Sequence, residues 1–344
     1  MKKSFLPYLI LILFTSCEKW QLGYNYFTGE LPDTPVNFEE INTEYDDFNA
    51  TAPTLGETFP LCFSSSRNSN GNNFDIVYKL ISISFSKKTG ELSIFENTSS
   101  NLDVYSASEN LNEAMSKINS AHNELGPYLI PVGDGHRPAP GGVGWTSFQN
   151  YILLYSNDSG GSQNIKLTHN TTNYSYDTII NLDYLNSEFN DFYPTLSSDK
   201  SKLYWSSDRS GVFNIYSVDL LNTGDILSDI INSNNTIEKV AELSSEKDDK
   251  CPFIISDFMV FVSNRDGGYG GYDLYYSRYE NGKWSTAENF GSKINTEYDE
   301  YRPIVVPLGD SSYFKNDFML FSSNRPGGKG GFDLYYVGIQ KVLK

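Results

Sequence analysis

The sequence has few basic residues. It contains 26 Lys and Arg against 43 Asp and Glu, which gives a formal net charge of −17 at neutral pH. Proteins that bind a nucleic-acid backbone need clustered Lys and Arg to displace counterions. The composition therefore excludes nucleic acid as a partner. It leaves a basic protein surface, a divalent cation or a neutral glycan open, and it also favours solubility.

Cysteine and histidine are also scarce, with three of each in the chain. Three cysteines are too few for a disulfide framework, and we predict that Cys62 and Cys251 are buried free thiols. The histidines lack the spacing of zinc ligands, and no G-x-S-x-G nucleophile elbow is present. These absences argue against zinc-dependent and nucleophilic catalysis.

Long hydrophobic runs are absent as well. The apolar run Phe5–Phe14 follows Lys2 and Lys3 and precedes Thr15-Ser16-Cys17, and it is too short to span a bilayer as a helix. Small residues before a cysteine at this place resemble a bacterial lipobox. We predict a signal peptide over residues 1–16, lipidation at Cys17 and a tether over residues 17–34 outside the fold. An ordinary cleaved signal and a chance cysteine are the alternatives.

A ten-residue phrase that ends in proline recurs along the chain. Its copies are INTEYDEYRP (Ile294–Pro303), LNSEFNDFYP (Leu185–Pro194), LSSEKDDKCP (Leu243–Pro252), INSAHNELGP (Ile118–Pro127) and a longer copy over Ile41–Pro53. Such self-similarity is typical of repeat architectures. The sequence therefore predicts five structural units that begin near residues 41, 118, 185, 243 and 294.

A second phrase follows each copy. It is clearest as VFVSNRDGGYGGYDLYYS (Val260–Ser277) and LFSSNRPGGKGGFDLYYV (Leu320–Val337), and weakest in the second unit, where Asp158 replaces the arginine and Asn164 the aspartate. Alternating Val, Ile, Tyr and Phe between turn residues predict strands. The glycine pairs indicate positive φ in a hairpin turn. We predict one four-stranded antiparallel sheet for each unit.

Five such sheets bury their faces by packing radially, which also limits exposed strand edges. The fold class predicted is all-β, with a single five-bladed β-propeller over residues 35–344. The last unit has no room for an outer strand. TPVNFEEIN (Thr34–Asn42) resembles the segment TAENFGSKIN (Thr286–Asn295), so we predict that the N-terminal strand closes the ring.

The two phrases resemble the TolB-like propeller repeat of bacterial envelope proteins, a WD-like repeat. The match is strong in the units that begin at 185, 243 and 294. The resemblance implies a β-propeller. The resemblance does not specify a function, because such repeats occur in periplasmic scaffolds, peptidoglycan-linked proteins and surface lipoproteins.

Both polar phrases should emerge on the same face of the propeller. This predicts a polar funnel whose binding-face candidates are the acids Asp47, Asp191, Asp249 and Glu300 and the arginines Arg67, Arg209, Arg265 and Arg325. The alternative is structural, because Arg and Asp recur eight residues apart as Arg67 and Asp75, Arg265 and Asp273, and Arg325 and Asp333. Such pairs would be salt bridges that define the repeat.

Other segments have weaker patterns. The loops Val132–Trp145 and Leu308–Asp317 would lie on the opposite face and either recognise a partner through residues such as His136, Arg137 and Trp145 or be plain insertions. The segment Ser108–Ile118 has helical spacing and predicts a short helix that packs in the core. No cofactor is predicted. Calcium stays open because carboxylates are its ligands, although no compact D-x-D-x-D motif occurs.

These observations favour a non-enzymatic, lipid-anchored binding or scaffold protein of the bacterial cell envelope. It would lie at the outer membrane and recognise an envelope protein complex or a glycan through loops of the propeller face. The alternatives are a glycan-binding surface lipoprotein and a five-bladed-propeller glycoside hydrolase, which needs two carboxylates at a sugar bond. A single acid without a partner deep in the funnel would favour the enzyme.

Overall fold

A computed structural model describes residues 26–53, 58–98, 111–138, 145–171, 175–176, 178–308 and 311–342. The predicted signal peptide and the lipidation site at Cys17 lie outside these residues. The described part is all-β and forms five antiparallel blades, so the predicted five-bladed propeller is confirmed. Within these residues no helix is both long and apolar enough to cross a membrane.

The strands follow the chain from the innermost to the outermost position of each blade. Blade 1 contains β2 (Asp47–Thr51), β3 (Thr58–Ser65), β4 (Asp75–Phe85) and β5 (Leu92–Glu96). Blade 2 contains β6 (Glu124–Pro138), β7 (Trp145–Asn157), β8 (Asn164–His169) and β9 (Ile179–Asn181). Blade 3 contains β10 (Asp191–Leu196), β11 (Lys202–Ser207), β12 (Asn214–Asp219) and β13 (Glu238–Lys239).

Blades 4 and 5 depart slightly from this plan. Blade 4 contains β14 (Asp249–Ile255), β15 (Phe258–Ser263), β16 (Asp273–Glu280) and two short outer strands on β16, β17 (Lys283–Trp284) and β18 (Glu288–Asn289). Blade 5 contains β19 (Glu300–Val306), β20 (Asn316–Ser323) and β21 (Asp333–Gln340). Its outer strand is β1 (Val36–Asn37), which pairs with β21. The predicted closure by the N-terminal strand is therefore confirmed.

The repeated glycines serve two different purposes. Gly267 and Gly327 have φ of 91° and 93°, as predicted for the hairpin turn. The following glycines are needed for close approach instead, because a Cβ at Gly270 would collide with the backbone carbonyl of Tyr298, and one at Gly330 with that of Tyr45. Each of these turns therefore packs directly on the loop that enters the next blade.

The helix predicted near residue 110 is confirmed where the structure describes it. Residues 111–118 form α1, and its apolar residues Leu111, Ala114, Met115 and Ile118 are buried in one cluster with residues of blades 1 and 2. A second helix, α2 (Ile226–Asn232), begins after Asp225, whose side chain accepts a hydrogen bond from the Leu227 N–H. Residues 108–110 of the predicted segment lie outside the described residues.

Two segments differ from their predictions. Most of the predicted loop Val132–Trp145 is strand, because β6 and β7 continue as a long hairpin in which Asp134 pairs with Gln149 and Pro138 with Trp145. The end of the predicted tether is packed on blade 5, where Leu31 is buried and its N–H donates to Asn316 Oδ1 at 2.9 Å. The buried side chain of Leu31 and the hydrogen bond to Asn316 hold this segment on the domain, so the packed part of the chain begins before residue 35.

Candidate functional site

The four arginines predicted for the binding face each contact a buried acid of the innermost strand. The Nη2-to-oxygen distances are 2.5–2.8 Å in Arg67–Asp47, Arg209–Asp191, Arg265–Asp249 and Arg325–Glu300. The same nitrogens donate to backbone carbonyls of Ile41, Leu185, Leu243 and Ile294. Each arginine thus ties a turn to the start of its repeat phrase. A role of these eight residues in ligand binding stays a prediction.

The predicted salt bridges between residues eight apart are wrong. Asp273 accepts hydrogen bonds from the backbone N–H groups of Tyr269 and Gly270. Asp333 accepts from Lys329 and Gly330 in the same way. These carboxylates cap their own turns, because the turn folds back over the start of the third strand, while the arginine points toward the innermost strand.

Blade 2 has a different register from the one predicted. Glu124 pairs with Asn157, as Asp191 pairs with Ser207 in blade 3. Ser159, not Asp158, therefore occupies the place of the arginine. Asp158 corresponds to Asp208 of blade 3, so the sequence prediction was one residue out.

We call the buried acids of the innermost strands, Asp47, Glu124, Asp191, Asp249 and Glu300, the inner acids. Glu124 consequently differs from the other four. It is fully buried and accepts hydrogen bonds from Ser120 Oγ at 2.7 Å and Asn157 Nδ2 at 2.5 Å, and burial raises its pKa. Lys166 supplies a positive charge nearby by donating to Asn157 Oδ1 and Ser159 Oγ. Glu124 is an acid without an arginine, but its burial keeps it away from a ligand on the surface.

The residue before each inner acid links neighbouring blades. Its side-chain oxygen accepts a hydrogen bond of 2.7–3.2 Å from a backbone N–H of the preceding blade. The donor and acceptor pairs are Phe332 and Asp46, Phe74 and Asn123, Gln163 and Asn190, Phe213 and Asp248, and Tyr272 and Asp299. We call the five accepting residues, Asp46, Asn123, Asn190, Asp248 and Asp299, the latches. The side chains of these five residues are thus engaged in joining neighbouring blades.

An aromatic group lies at the centre of this face. The residues that directly follow the inner acids come close to the residues whose backbone N–H groups donate to the latches. The distances between ring centroids are 4.8 Å for Phe48 and Phe74, 5.1 Å for Phe192 and Phe213, and 5.6 Å for Tyr272 and Tyr301. We call the set the axial cluster; it contains Phe48, Phe74, Leu125, Phe192, Phe213, Lys250, Tyr272, Tyr301 and Phe332. Most of these side chains are only half-buried.

Lys250 is the charged member of the axial cluster. Its Nζ lies 4.1 Å from the ring centroid of Tyr272, 4.9 Å from that of Phe213 and 5.2 Å from that of Tyr301. Such placement over aromatic faces stabilises a cation. The side chain is buried, and burial lowers the pKa of its ammonium group. Asp248, which accepts from the Tyr272 hydroxyl at 2.6 Å, acts in the opposite direction on this pKa.

A second ring of residues lies beneath the axial cluster. Five equivalent residues of the innermost strands, Asn49, Gly126, Tyr193, Cys251 and Arg302, all have positive φ. The fully buried Arg302 lies over the Tyr193 ring and donates to the carbonyl of Pro252 at 2.9 Å. A Cβ on Gly126 would collide with Tyr193. These contacts join residues of different blades across the axis, beneath the axial cluster.

The predicted free thiols are confirmed. Cys62 and Cys251 are both buried and unpaired. Burial raises the pKa of Cys62 to about 12 and that of Cys251 to about 11, so neither is an activated nucleophile. The residues that the structure describes also contain no group of three His, Cys, Asp or Glu side chains placed to hold a metal ion.

Sequence reasoning missed the axial cluster. Its signal was present at the position after each inner acid, where the five repeats differ and carry Phe48, Leu125, Phe192, Lys250 and Tyr301. An aromatic residue also directly precedes the third strand in four of the five units.

Solved structures share this fold. A thermostable family-43 glycoside hydrolase is 11% identical, with 89% of this chain and 93% of that chain covered and a TM-score of 0.51. An α-L-arabinofuranosidase from Podospora anserina, solved with cellotriose, is 10% identical over 91% of this chain and 97% of that chain, with a TM-score of 0.47. No protein-family model and no curated protein sequence matches the chain.

A protein described as TolB from Agrobacterium tumefaciens is similar as well. It is 14% identical over 92% of this chain and 93% of that chain, with a TM-score of 0.42. Identities this low show the propeller fold alone.

The prediction of a non-enzymatic binding scaffold is nevertheless contradicted. The family-43 glycoside hydrolase, which matches across nearly the whole of both chains, is an enzyme. The lack of a serine or zinc site was the wrong criterion, because glycoside hydrolysis needs two carboxylates and neither of those groups.

Proposed function

We propose that this protein is a glycoside hydrolase that binds sugar rings at the axial cluster. The observation that carries the proposal is the aromatic surface around Lys250, which combines seven aromatic rings with polar groups at its rim. Ligand sites are mostly apolar surfaces with a few placed polar groups. Aromatic faces pack on the apolar face of a sugar ring while the rim groups bind its hydroxyls.

Asp248 and Asp299 are the candidate pair of carboxylates. Both contact Tyr272, since its hydroxyl donates to Asp248 Oδ2 at 2.6 Å and its backbone N–H donates to Asp299 Oδ1 at 2.8 Å. One tyrosine therefore bridges the two carboxylates. Glycosidases hold their two carboxyl groups between about 5 and about 9.5 Å apart. One group would protonate the leaving oxygen, and the other would activate water or attack the sugar.

The test is hydrolysis of arabinan, xylan, galactan and aryl glycosides, measured by the release of reducing ends or of the aryl group. We expect Asp248→Asn and Asp299→Asn to lower the rate on the active substrate by at least about 10²-fold, the usual contribution of an acid–base group. Asp266→Asn is the matched control, because its side chain is 97% exposed in the turn of the same blade.

Both candidate acids are also latches, so the variants need a check of folding. Circular dichroism and thermal unfolding separate lost chemistry from a lost fold, and glycan binding by a folded but inactive Asp248→Asn would support the assignment. A wild-type protein that neither binds nor cleaves any glycan of the panel would overturn the proposal.

We further propose that the chain is anchored at the outer membrane through a lipid on Cys17. The basic start, the short apolar run and the small residues before this cysteine support the proposal. Metabolic labelling with an alkyne fatty acid should mark the wild type and not Cys17→Ser. Equal labelling of both would contradict it.

A further inference from the structure

Lys250 interrupts the apolar ring at the propeller axis. The equivalent residues of the other four blades are Phe48, Leu125, Phe192 and Tyr301, and each lies directly after its inner acid as Lys250 lies after Asp249. An apolar side chain at this place is compatible with the fold in four blades. The architecture therefore does not require a lysine at this place in blade 4. A role of Lys250 in binding accounts for it better.

The ammonium group of Lys250 has hydrogen-bonding capacity to spare. It faces the rings of Phe213, Tyr272 and Tyr301, and within the described residues its Nζ donates no hydrogen bond and forms no ion pair. An ammonium group carries three donors. A ligand that presents an acceptor at the axis can therefore bind it without displacing a partner in the protein.

The carboxylates near Lys250 are engaged elsewhere. Asp248 accepts from the Phe213 N–H and the Tyr272 hydroxyl, and Asp299 accepts from the Tyr272 N–H and from Asn324. Asp208 accepts twice from Asn190. Their charges act on the ammonium from a distance, yet its pKa remains below the ordinary value because burial outweighs them. The cation is therefore only partly compensated by the protein.

We propose that Lys250 recognises a carboxylate on the glycan, so that the substrate class is a polysaccharide that contains uronic acids. A ligand carboxylate would form a charge-assisted hydrogen bond with the ammonium and supply the missing countercharge. The sugar ring that carries it would lie on the aromatic side chains of the cluster. This inference rests on the proposed function and specifies its substrate.

Polygalacturonate and its fully methyl-esterified form provide the probe, because they share a backbone and differ in the carboxylate. Binding of each polymer to the full chain would be measured by calorimetry at low and high salt. We expect the wild type to bind the acid form at least tenfold more tightly than the ester at low salt, and the difference to shrink with salt.

Three variants locate the effect. Lys250→Met should lose the preference for the acid form, and Lys250→Arg should keep most of it, since guanidinium also binds carboxylate. Lys247→Met is the control, because Lys247 is half-exposed and lies outside the axial cluster. Its preference should equal that of the wild type.

The outcomes separate the two proposals. Equal binding of acid and ester by the wild type, or an unchanged preference in Lys250→Met, would overturn the uronate assignment while leaving the proposed function intact. Failure to bind any glycan, including neutral arabinan and xylan, would overturn the proposed function itself. If Lys250→Met does not fold, the wild-type comparison and Lys250→Arg still decide the question.

Discussion

The inner acids and the axial cluster are neighbours in sequence but differ in character. Asp249 and its equivalents are acidic in every blade, fully buried and, in four blades, bound to an arginine. The next residue is Phe, Leu, Phe, Lys or Tyr and lies in the axial cluster. The comparison teaches that the repeated positions build the blades, whereas the positions that differ between repeats make the surface that can distinguish a ligand.

The largest expected effect comes from breaking a repeated pair. Arg265→Ala leaves the buried carboxylate of Asp249 without its cation. Removing one partner of a buried pair costs about 3–5 kcal/mol of unfolding free energy. Urea unfolding checks this, with Arg278→Ala as the control, because the Arg278 guanidinium forms no ion pair within the described residues. Equal losses in the two variants would contradict the structural role of Arg265.

The second prediction concerns the turn glycines of blade 5. Gly330→Ala should cost about 1–3 kcal/mol, because its Cβ would overlap the carbonyl of Tyr45 and force the backbone apart. Gly327→Ala should cost about 1 kcal/mol, since its positive φ is strained for alanine but its Cβ would meet no atom within 4 Å. Chemical denaturation of both variants tests the order. A reversed order would show that strain matters more than the close approach.

The third prediction concerns the axial cluster. Phe213→Ala removes a ring from the axial cluster and should weaken glycan binding about two- to twelvefold, because an aromatic contact contributes about 0.5–1.5 kcal/mol. Tyr269→Ala is the control, since Tyr269 is 51% exposed and belongs to a turn rather than to the cluster. Affinity electrophoresis in the active polysaccharide measures both. Equal retardation of both variants would place the sugar elsewhere.

The last prediction concerns the buried thiols at alkaline pH. The pKa values of Cys62 and Cys251 are raised from 9.0 to about 12 and about 11, so the unfolded state loses these protons first. Their contribution to stability is therefore complete below about pH 9 and is lost as the pH rises toward the folded-state values. The unfolding free energy of Cys17→Ser, which leaves these two thiols, should fall as the pH rises from about 9 to about 11. The fall should be smaller when Cys62 is also replaced by alanine.

Native thiol labelling gives an independent check of the same burial. At pH 8 a thiol reagent should modify Cys62 and Cys251 only after unfolding, because the nucleophilic thiolate is scarce and shielded. Rapid labelling of the native protein would contradict the burial of both residues.

Much of the fold could be predicted from local patterns. The proline-ended phrase marks each innermost strand, the glycine-rich phrase marks the turn between the second and third strands, and both depend on residues close together in sequence. The closing strand was found in the same way, because Thr34–Asn42 resembles an outer strand. The prediction that Cys62 and Cys251 are buried free thiols followed from the small number of cysteines. Repetition made these weak local signals reliable.

The site depended on the tertiary structure. Arg265 binds Asp249, 16 residues earlier, rather than Asp273, eight residues later, because the turn folds over the start of the repeat phrase. Phe48 meets Tyr301 only when the ring closes and brings the first and last blades together. Sequence by itself determined the five strand-and-turn units. Closure decided which side chains meet at the axis, since those contacts join residues from separate blades that no local pattern relates.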